Sequence, residues 1–172
     1  MSFTLVLGGA RSGKSAFAQG AAEARAAETG GRLVMVATAQ AFDSEMAERI
    51  DRHRADRGPA WTTVEAPADL APALDGLGAG DVVVVDCLTL WLSNLMLDDR
   101  DDLAAAAAEL AASAARFPGA LWLVSNEVGF GIVPDNALAR RFRDEAGRLH
   151  QALAQAADAV TLVVAGLTLR LK

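Results

Sequence analysis

The sequence contains no tyrosine, one cysteine, two histidines and five prolines among 172 residues. A single cysteine, Cys87, rules out an internal disulfide and fits a reducing compartment. The two histidines, His53 and His150, lie far apart and leave no closely spaced ligand pair for a structural zinc. No apolar run is long enough for a bilayer: residues 159–169 fall short of the roughly 20 required and include Gly166. No basic cluster precedes the first apolar stretch, and a glycine-rich segment interrupts it, so no secretory leader is expected. Positive charge is in the minority too. Sixteen Lys and Arg against 22 Asp and Glu leave a net −6, which argues against a general nucleic-acid or anionic-membrane binder but leaves room for a local basic pocket. These shortages predict a cytoplasmic, soluble protein with no nucleic-acid partner and no membrane insertion.

What is present is globular. The chain is 52% hydrophobic and 22% charged, long enough to bury a full core, with no linker and no repeat, so residues 1–172 read as one domain. Its densest signal is Gly8-Gly-Ala-Arg-Ser-Gly-Lys-Ser15, which fits the phosphate-loop pattern G-x-x-x-x-G-K-[ST]. Apolar residues 3–7 precede it as a buried strand, and Ala-rich residues 16–28 follow as a helix. Such a loop wraps backbone N–H groups around a polyphosphate, with the helix N-terminus adding a favourable dipole. Lys14 would reach the β- and γ-phosphates, and Ser15 would ligate Mg²⁺.

Downstream, strands and helices alternate. Strands are expected at 32–37, 61–65, 81–86, 121–125, 158–164 and 167–171, the last two joined by a turn at Ala165-Gly166. Four consecutive valines, Val82 to Val85, indicate a strand buried on both faces. Helices are expected from Asp43 or Ser44 to Gly58-Pro59, at 67–74, 88–97 and 103–116, and at 136–157 with Leu138, Phe142, Leu149 and Leu153 facing the core. This order predicts one α/β domain with a mostly parallel sheet. Sites in such sheets lie beyond the carboxyl ends of the strands, which brings Gly8–Ser15, Thr38-Ala-Gln40, Asp86 and Asn126-Glu127 to one edge.

Several residues have two readings. Asp86 ends an apolar strand where a Mg²⁺-supporting acid belongs, or it caps the helix that follows. His53 shares a helix face with Met46 and Ile50 and is surrounded by Arg49, Arg52, Arg54 and Arg57. It is a half-buried packing residue, or an imidazole nucleophile for phosphorus with arginines holding the oxygens. Glu127 could position a hydroxyl or a metal-bound water, or bind backbone donors in its turn. Arg140, Arg141 and Arg143 could clamp a phosphate, although a solvated helix face paired with Asp144 and Glu145 suits them better. His150, far in sequence from any loop, reads as a surface or packing residue. A GTPase switch would need D-x-x-G and N-K-x-D; Asp86-Cys-Leu-Thr89 and Asn126-Glu-Val-Gly129 satisfy neither, which leaves a small-molecule phosphotransferase.

The motifs occur in a telling order. The phosphate loop is followed by Ala37-Thr-Ala-Gln40, Arg49-Ile-Asp-Arg-His-Arg54, Trp61-Thr-Thr-Val-Glu65, Asp86-Cys-Leu-Thr-Leu-Trp-Leu-Ser-Asn94, Ser125-Asn-Glu-Val-Gly-Phe-Gly-Ile-Val-Pro134 and Phe142-Arg-Asp-Glu-Ala-Gly-Arg148. Over nearly its whole length the chain resembles the bifunctional adenosylcobinamide kinase/adenosylcobinamide-phosphate guanylyltransferases of cobalamin biosynthesis. The resemblance implies a P-loop NTPase (RecA-like) three-layer fold and a homotrimer in which neighbouring subunits help form the site. It implies two reactions: phosphorylation of adenosylcobinamide by ATP or GTP, then transfer of GMP from GTP through a guanylylated histidine, matched here by His53. By motif position, Gly8, Gly9, Ala10, Arg11, Ser12, Gly13, Lys14, Ser15, Ala37, Thr38, Arg54, Arg57, Glu65 and Asp86 bind nucleotide, Ser15 and Asp86 hold Mg²⁺, and His53 and Lys14 are catalytic. The family commonly has Asn-Gln where this chain has His150-Gln151.

Overall fold

The computed structural model describes residues 2–40, 58–98, 100 and 102–172. Seven strands form one sheet in the order β3-β2-β4-β5-β1-β6-β7. They are β1 (Ser2–Gly8), β2 (Arg32–Ala37), β3 (Thr62–Glu65), β4 (Asp81–Asp86), β5 (Ala120–Asn126), β6 (Ala159–Val164) and β7 (Leu167–Arg170). All neighbouring pairs are parallel except β6 and β7, which form an antiparallel hairpin. The helices are α1 (Lys14–Thr29), α2 (Leu70–Asp75), α3 (Leu88–Leu97), α4 (Leu103–Arg116) and α5 (Ala137–Ala156). Each expected strand and helix in the described residues is present, with ends moved by at most three positions. The helix expected between Asp43 and Pro59 falls largely outside them.

The valine run explains the layering. Val83 and Val85 join a core with Leu70, Leu88, Leu110, Leu149 and Leu153, contributed by α2 to α5. Val82 and Val84 point the other way, toward Ala18, Ala22 and Ala26 of α1. Successive side chains of a strand alternate faces, so an uninterrupted apolar run is stable only between two helical layers. The four-residue spacing of those alanines puts them on one stripe of α1, and their small size lets the helix approach the sheet closely.

Register fixes which residues share the carboxyl edge. Ala37 pairs with both Glu65 and Asp86, and Asp86 pairs with Val124. One pleat further, Gly8 pairs with Asn126. β5 is interposed between the phosphate-loop strand and the strand ending in Asp86. No helix among the described residues is long and apolar enough to cross a membrane.

Leu138 differs from its expected place: it is 56% exposed. The helical period identifies the correct stripe of α5, but its buried members are Ala146, Leu149, His150 and Leu153. At 20 residues α5 is longer than the 14-residue α4 it packs beside, so its first turn projects past the core.

Candidate active site

The phosphate loop leaves β1 at Gly8 and enters α1 at Lys14. Glycine is required at its start because a Cβ on Gly8 would lie 2.5 Å from both the Val163 carbonyl oxygen and Ser12 Oγ. Gly13 has φ of +96° and Arg11, a non-glycine residue, has φ of +55°. Left-handed backbone at a non-glycine position concentrates at functional sites. Two backbone bonds brace the loop from outside: Glu127 N–H donates to the Gly8 carbonyl at 2.9 Å and Gly166 N–H donates to that of Ser12 at 2.8 Å.

Inside the loop three kinds of donor converge. Ser12 Oγ is the one buried side-chain oxygen or nitrogen without a hydrogen bond among the described residues. The N-terminus of α1 has no side-chain cap and no acidic residue in its first turn, so its unpaired N–H groups and dipole face the loop. Lys14 is buried and arches back to the Gly9 carbonyl, 3.2 Å from its Nζ. This donor set fits a phosphate chain, whose oxygens would take up Ser12 Oγ and the α1 amides.

The second group of residues gathers where β2 and β4 end. Asp86 does not cap α3: Cys87 occupies the cap position, and no side chain bonds there. The Asp86 carboxylate is half-buried and makes no hydrogen bond or ion pair among the described residues. Burial pushes the Cys87 thiol up, the negative charge of Asp86 adds to that, and Lys14 partly offsets it. Ser15 and Asp86 carry hard oxygen atoms, the type of donor that suits Mg²⁺.

Thr38 is fully buried and exchanges two bonds with Cys87, Oγ1 donating to the carbonyl at 2.7 Å and the Cys87 N–H donating to Oγ1 at 2.9 Å. Asn126 Nδ2 donates to Thr89 Oγ1 at 2.7 Å. Asn94 Nδ2 donates to the carbonyls of Thr38 and Pro67, each at 2.9 Å. Sequence reasoning missed this network. Its one signal was three polar residues, Thr89, Ser93 and Asn94, inside the otherwise apolar Leu88–Leu97 helix; Thr89 and Asn94 are buried.

His150 also lies nearer the site than its sequence position implied. It is buried on α5, with Nε2 2.7 Å from Ser125 Oγ and Nδ1 3.6 Å from Glu127 Oε2. Burial lowers its pKa, opposed by the Glu127 carboxylate. The other Glu127 oxygen accepts from Gly129 N–H at 2.7 Å, so this side chain does bind a backbone donor in its turn. The arginines of α5 behave as a solvated face: Arg143 pairs with Asp144, and Arg140 donates to the carbonyls of Pro134 and Asp135.

The structure therefore places Gly8 to Ser15, Ala37, Thr38, Glu65 and Asp86 along one edge. His53, Arg54 and Arg57, with Arg49, Arg52, Met46 and Ile50, lie outside the described residues.

Comparison with known proteins narrows the chemistry. The bifunctional adenosylcobalamin biosynthesis protein CobP of Pseudomonas aeruginosa is 50% identical over 170 residues, covering 98% of this chain and 96% of its own. CobU of Escherichia coli, described in the same words, is 40% identical over 183 residues, covering 98% of both chains. Among solved structures, a KaiC-like protein of the hyperthermophilic archaeon Pyrococcus horikoshii superposes with a TM-score of 0.51 at 14% identity, covering 94% of this chain and 70% of the other. At that identity the likeness speaks for the fold alone, that of P-loop NTPases. Residues 4–171 match the family of cobinamide kinases / cobinamide phosphate guanyltransferases, and the chain belongs to that family of bifunctional enzymes.

Proposed function

We propose that this enzyme phosphorylates adenosylcobinamide with ATP or GTP and then transfers GMP from GTP to the resulting phosphate through a guanylylated His53. The products are adenosylcobinamide-GDP and pyrophosphate. The observation that carries this reading is the phosphate loop itself. An uncapped helix N-terminus, the buried Lys14 and the unpartnered Ser12 hydroxyl converge there, in a chain of this family.

In the first reaction the aminopropanol hydroxyl attacks the γ-phosphorus. An O–P bond forms, the bond to the β-bridging oxygen breaks, and the nucleoside diphosphate leaves. Lys14 and the α1 amides hold the triphosphate and offset charge on its non-bridging oxygens, so catalysis here is mainly positioning and electrostatics. Ser15 and Asp86 would hold Mg²⁺, which neutralises charge across the β- and γ-phosphates when bound.

In the second reaction an unprotonated imidazole nitrogen of His53 attacks the α-phosphorus of GTP, and pyrophosphate leaves with the electrons of the broken P–O bond. Histidine has an ordinary pKa of about 6.5, so a neutral ring is available at cellular pH. A phosphate oxygen of adenosylcobinamide phosphate then attacks the same phosphorus, the N–P bond breaks and His53 is regenerated. Arg54 and Arg57 stabilise phosphate charge, Ala37 and Thr38 line the nucleotide, and Glu65 accepts from guanine or ribose.

The same reading includes a cytoplasmic homotrimer. Leu167, Leu169 and Leu171, all more than half exposed on or beside the edge strand β7, support burial against another surface. Sedimentation equilibrium measures the stoichiometry. The decisive experiment incubates the protein with α-labelled GTP and Mg²⁺ and maps the modified residue. Acid-labile label on His53 is expected, lost in His53→Ala while γ-phosphoryl transfer persists. An unlabelled wild-type protein would sink the covalent route.

A further inference from the structure

We propose that the loop between β5 and α5 is the platform on which the acceptor's corrin ring rests, with Phe130, Ile132 and Val133 as its contact surface. That platform serves the two-step reading above, on which the identity of the acceptor rests.

This stretch departs from the usual placing of large apolar side chains. Phe130 is 84% exposed, Ile132 97% and Val133 61%, all within residues 130–133. Single apolar residues scattered over a surface need no explanation, but large ones grouped together mark a contact surface. Leu138, in the first turn of α5, is also more than half exposed and continues the group along the chain.

The loop is held at both ends. At its start the Glu127 carboxylate accepts from Gly129 N–H at 2.7 Å. At its end Asn136 Oδ1 accepts from the N–H groups of Leu138 and Ala139 at 2.8 and 3.1 Å. Arg140 donates to the carbonyls of Pro134 and Asp135 at 2.8 and 2.7 Å. A surface fixed before binding loses little ordering entropy when its ligand arrives. The space beside it is open: a Cβ on Gly131 would meet nothing within 4 Å among the described residues.

Position decides the occupant. β5 is the middle strand of the seven, between the strand that ends in Asp86 and the strand that enters the phosphate loop. Glu127 N–H bonds the Gly8 carbonyl, and the step from Glu127 to Phe130 spans at most about 11 Å. Whatever rests on this loop therefore lies beside the phosphate loop. Both proposed reactions bring the same acceptor to that edge, a flat macrocycle rimmed with methyl groups whose reacting oxygen hangs on a short side chain. The ring must settle close to the phosphates for that oxygen to reach them. A triphosphate is met by amides and Lys14 and has no use for exposed Phe and Ile; the macrocycle has. An aromatic ring suits its face, and branched aliphatic side chains suit its methyl rim.

The test is the double variant Phe130→Ser/Ile132→Ser in the full protein. Both residues are exposed, so the core does not depend on them. Two constants are measured: the KM for adenosylcobinamide in phosphoryl transfer from γ-labelled ATP, and its Kd by equilibrium dialysis followed through the corrin's visible absorbance. Both are expected to rise about 10- to 100-fold, the effect of withdrawing two large apolar side chains from contact. The kcat at saturating acceptor and the KM for ATP are expected to stay within about threefold of wild type. Phe130→Leu keeps an apolar surface and is expected to hold both acceptor constants within about threefold. Leu97→Ser is the matched control, removing a 62% exposed apolar residue at the end of α3 away from this edge, and is expected to change neither constant. Unchanged acceptor constants in the double variant would overturn the platform. So would a fall in its sedimenting mass, which would assign the patch to contact between copies of the chain. A wild-type protein that transfers no phosphoryl group to adenosylcobinamide would instead overturn the two-step reading beneath.

Discussion

The two halves of the sheet's carboxyl edge are built from different materials. Around β5, β1 and β6 the construction is backbone against backbone. Gly8 has no room for a side chain, Gly166 reaches Ser12 main chain to main chain, and a Cβ on Gly13 would come within 3.2 Å of Gly166 Cα. Around β3, β2 and β4 the construction is side chain to backbone, through the Thr38 hydroxyl and the Asn94 amide. The difference follows from what each half must recognise. A phosphate chain is the same in every nucleotide and is best met by amides that only a bare backbone brings close enough. A nucleoside and an attacking histidine demand placement that varies with the reaction, which side chains on rigid elements supply. On the proposed reading, one half is a fixed cradle and the other sets what is done to the phosphate it holds.

The largest expected effect breaks the cradle. Lys14→Ala removes the one buried cation of the loop. Both phosphoryl transfer and guanylylation are expected to fall by about 100- to 1000-fold, the usual loss for a preorganised charge-stabilising donor. Kinetic assays of the two steps side by side check this. Loss confined to one step would mean that the two reactions do not share a cradle, and the comparison would collapse.

A smaller effect strikes the brace. Gly166 has φ of +78° and donates to Ser12. Gly166→Val forces a β-branched residue into left-handed backbone and is expected to lower stability by about 1–3 kcal/mol in chemical denaturation. It should raise the KM for the nucleotide by the same factor in both steps. Unequal factors would show that the hairpin serves the second step on its own.

This contrast also explains what was legible beforehand. A backbone-built site needs glycines at set intervals, and Gly8, Gly13 and the Gly30 stop after α1 announce strand, loop and helix from a short stretch of sequence. The valine run reported a two-faced strand for the same reason, since local pattern and burial agree. The other half depends on pairs far apart in the chain, Thr38 with Cys87 and Asn94 with Pro67, and no local period relates them. Asn94 stood in the sequence only as the end of the Asp86–Asn94 motif, with nothing to indicate its partners. Leu138 failed for the complementary reason. Its helical period was right, but how far α5 overhangs its neighbours is set by loop lengths, which the period does not encode.

The smallest effect tests whether a titratable group behind the cradle has a consequence. His150 stands against Ser125 and Glu127 on the face opposite α1, and burial holds its pKa below the ordinary value of 6.5. In the unfolded chain the ring takes up a proton as pH falls through about 6.5, whereas the folded protein resists until lower pH. Between those two points the unfolded state binds more protons, so stability must fall as pH falls, with a slope of at most about 1.4 kcal/mol per pH unit. Above the unfolded value the contribution vanishes. Asp75, Asp81 and Asp102 have lowered pKa values, each led by a side-chain hydrogen bond, and they affect stability only in more acidic solution. His150→Asn removes the titratable ring and is expected to flatten the stability curve below about pH 6.5. Identical slopes in denaturant titrations of the two proteins would remove His150 as the source, and would leave the cradle with no titratable support behind β5.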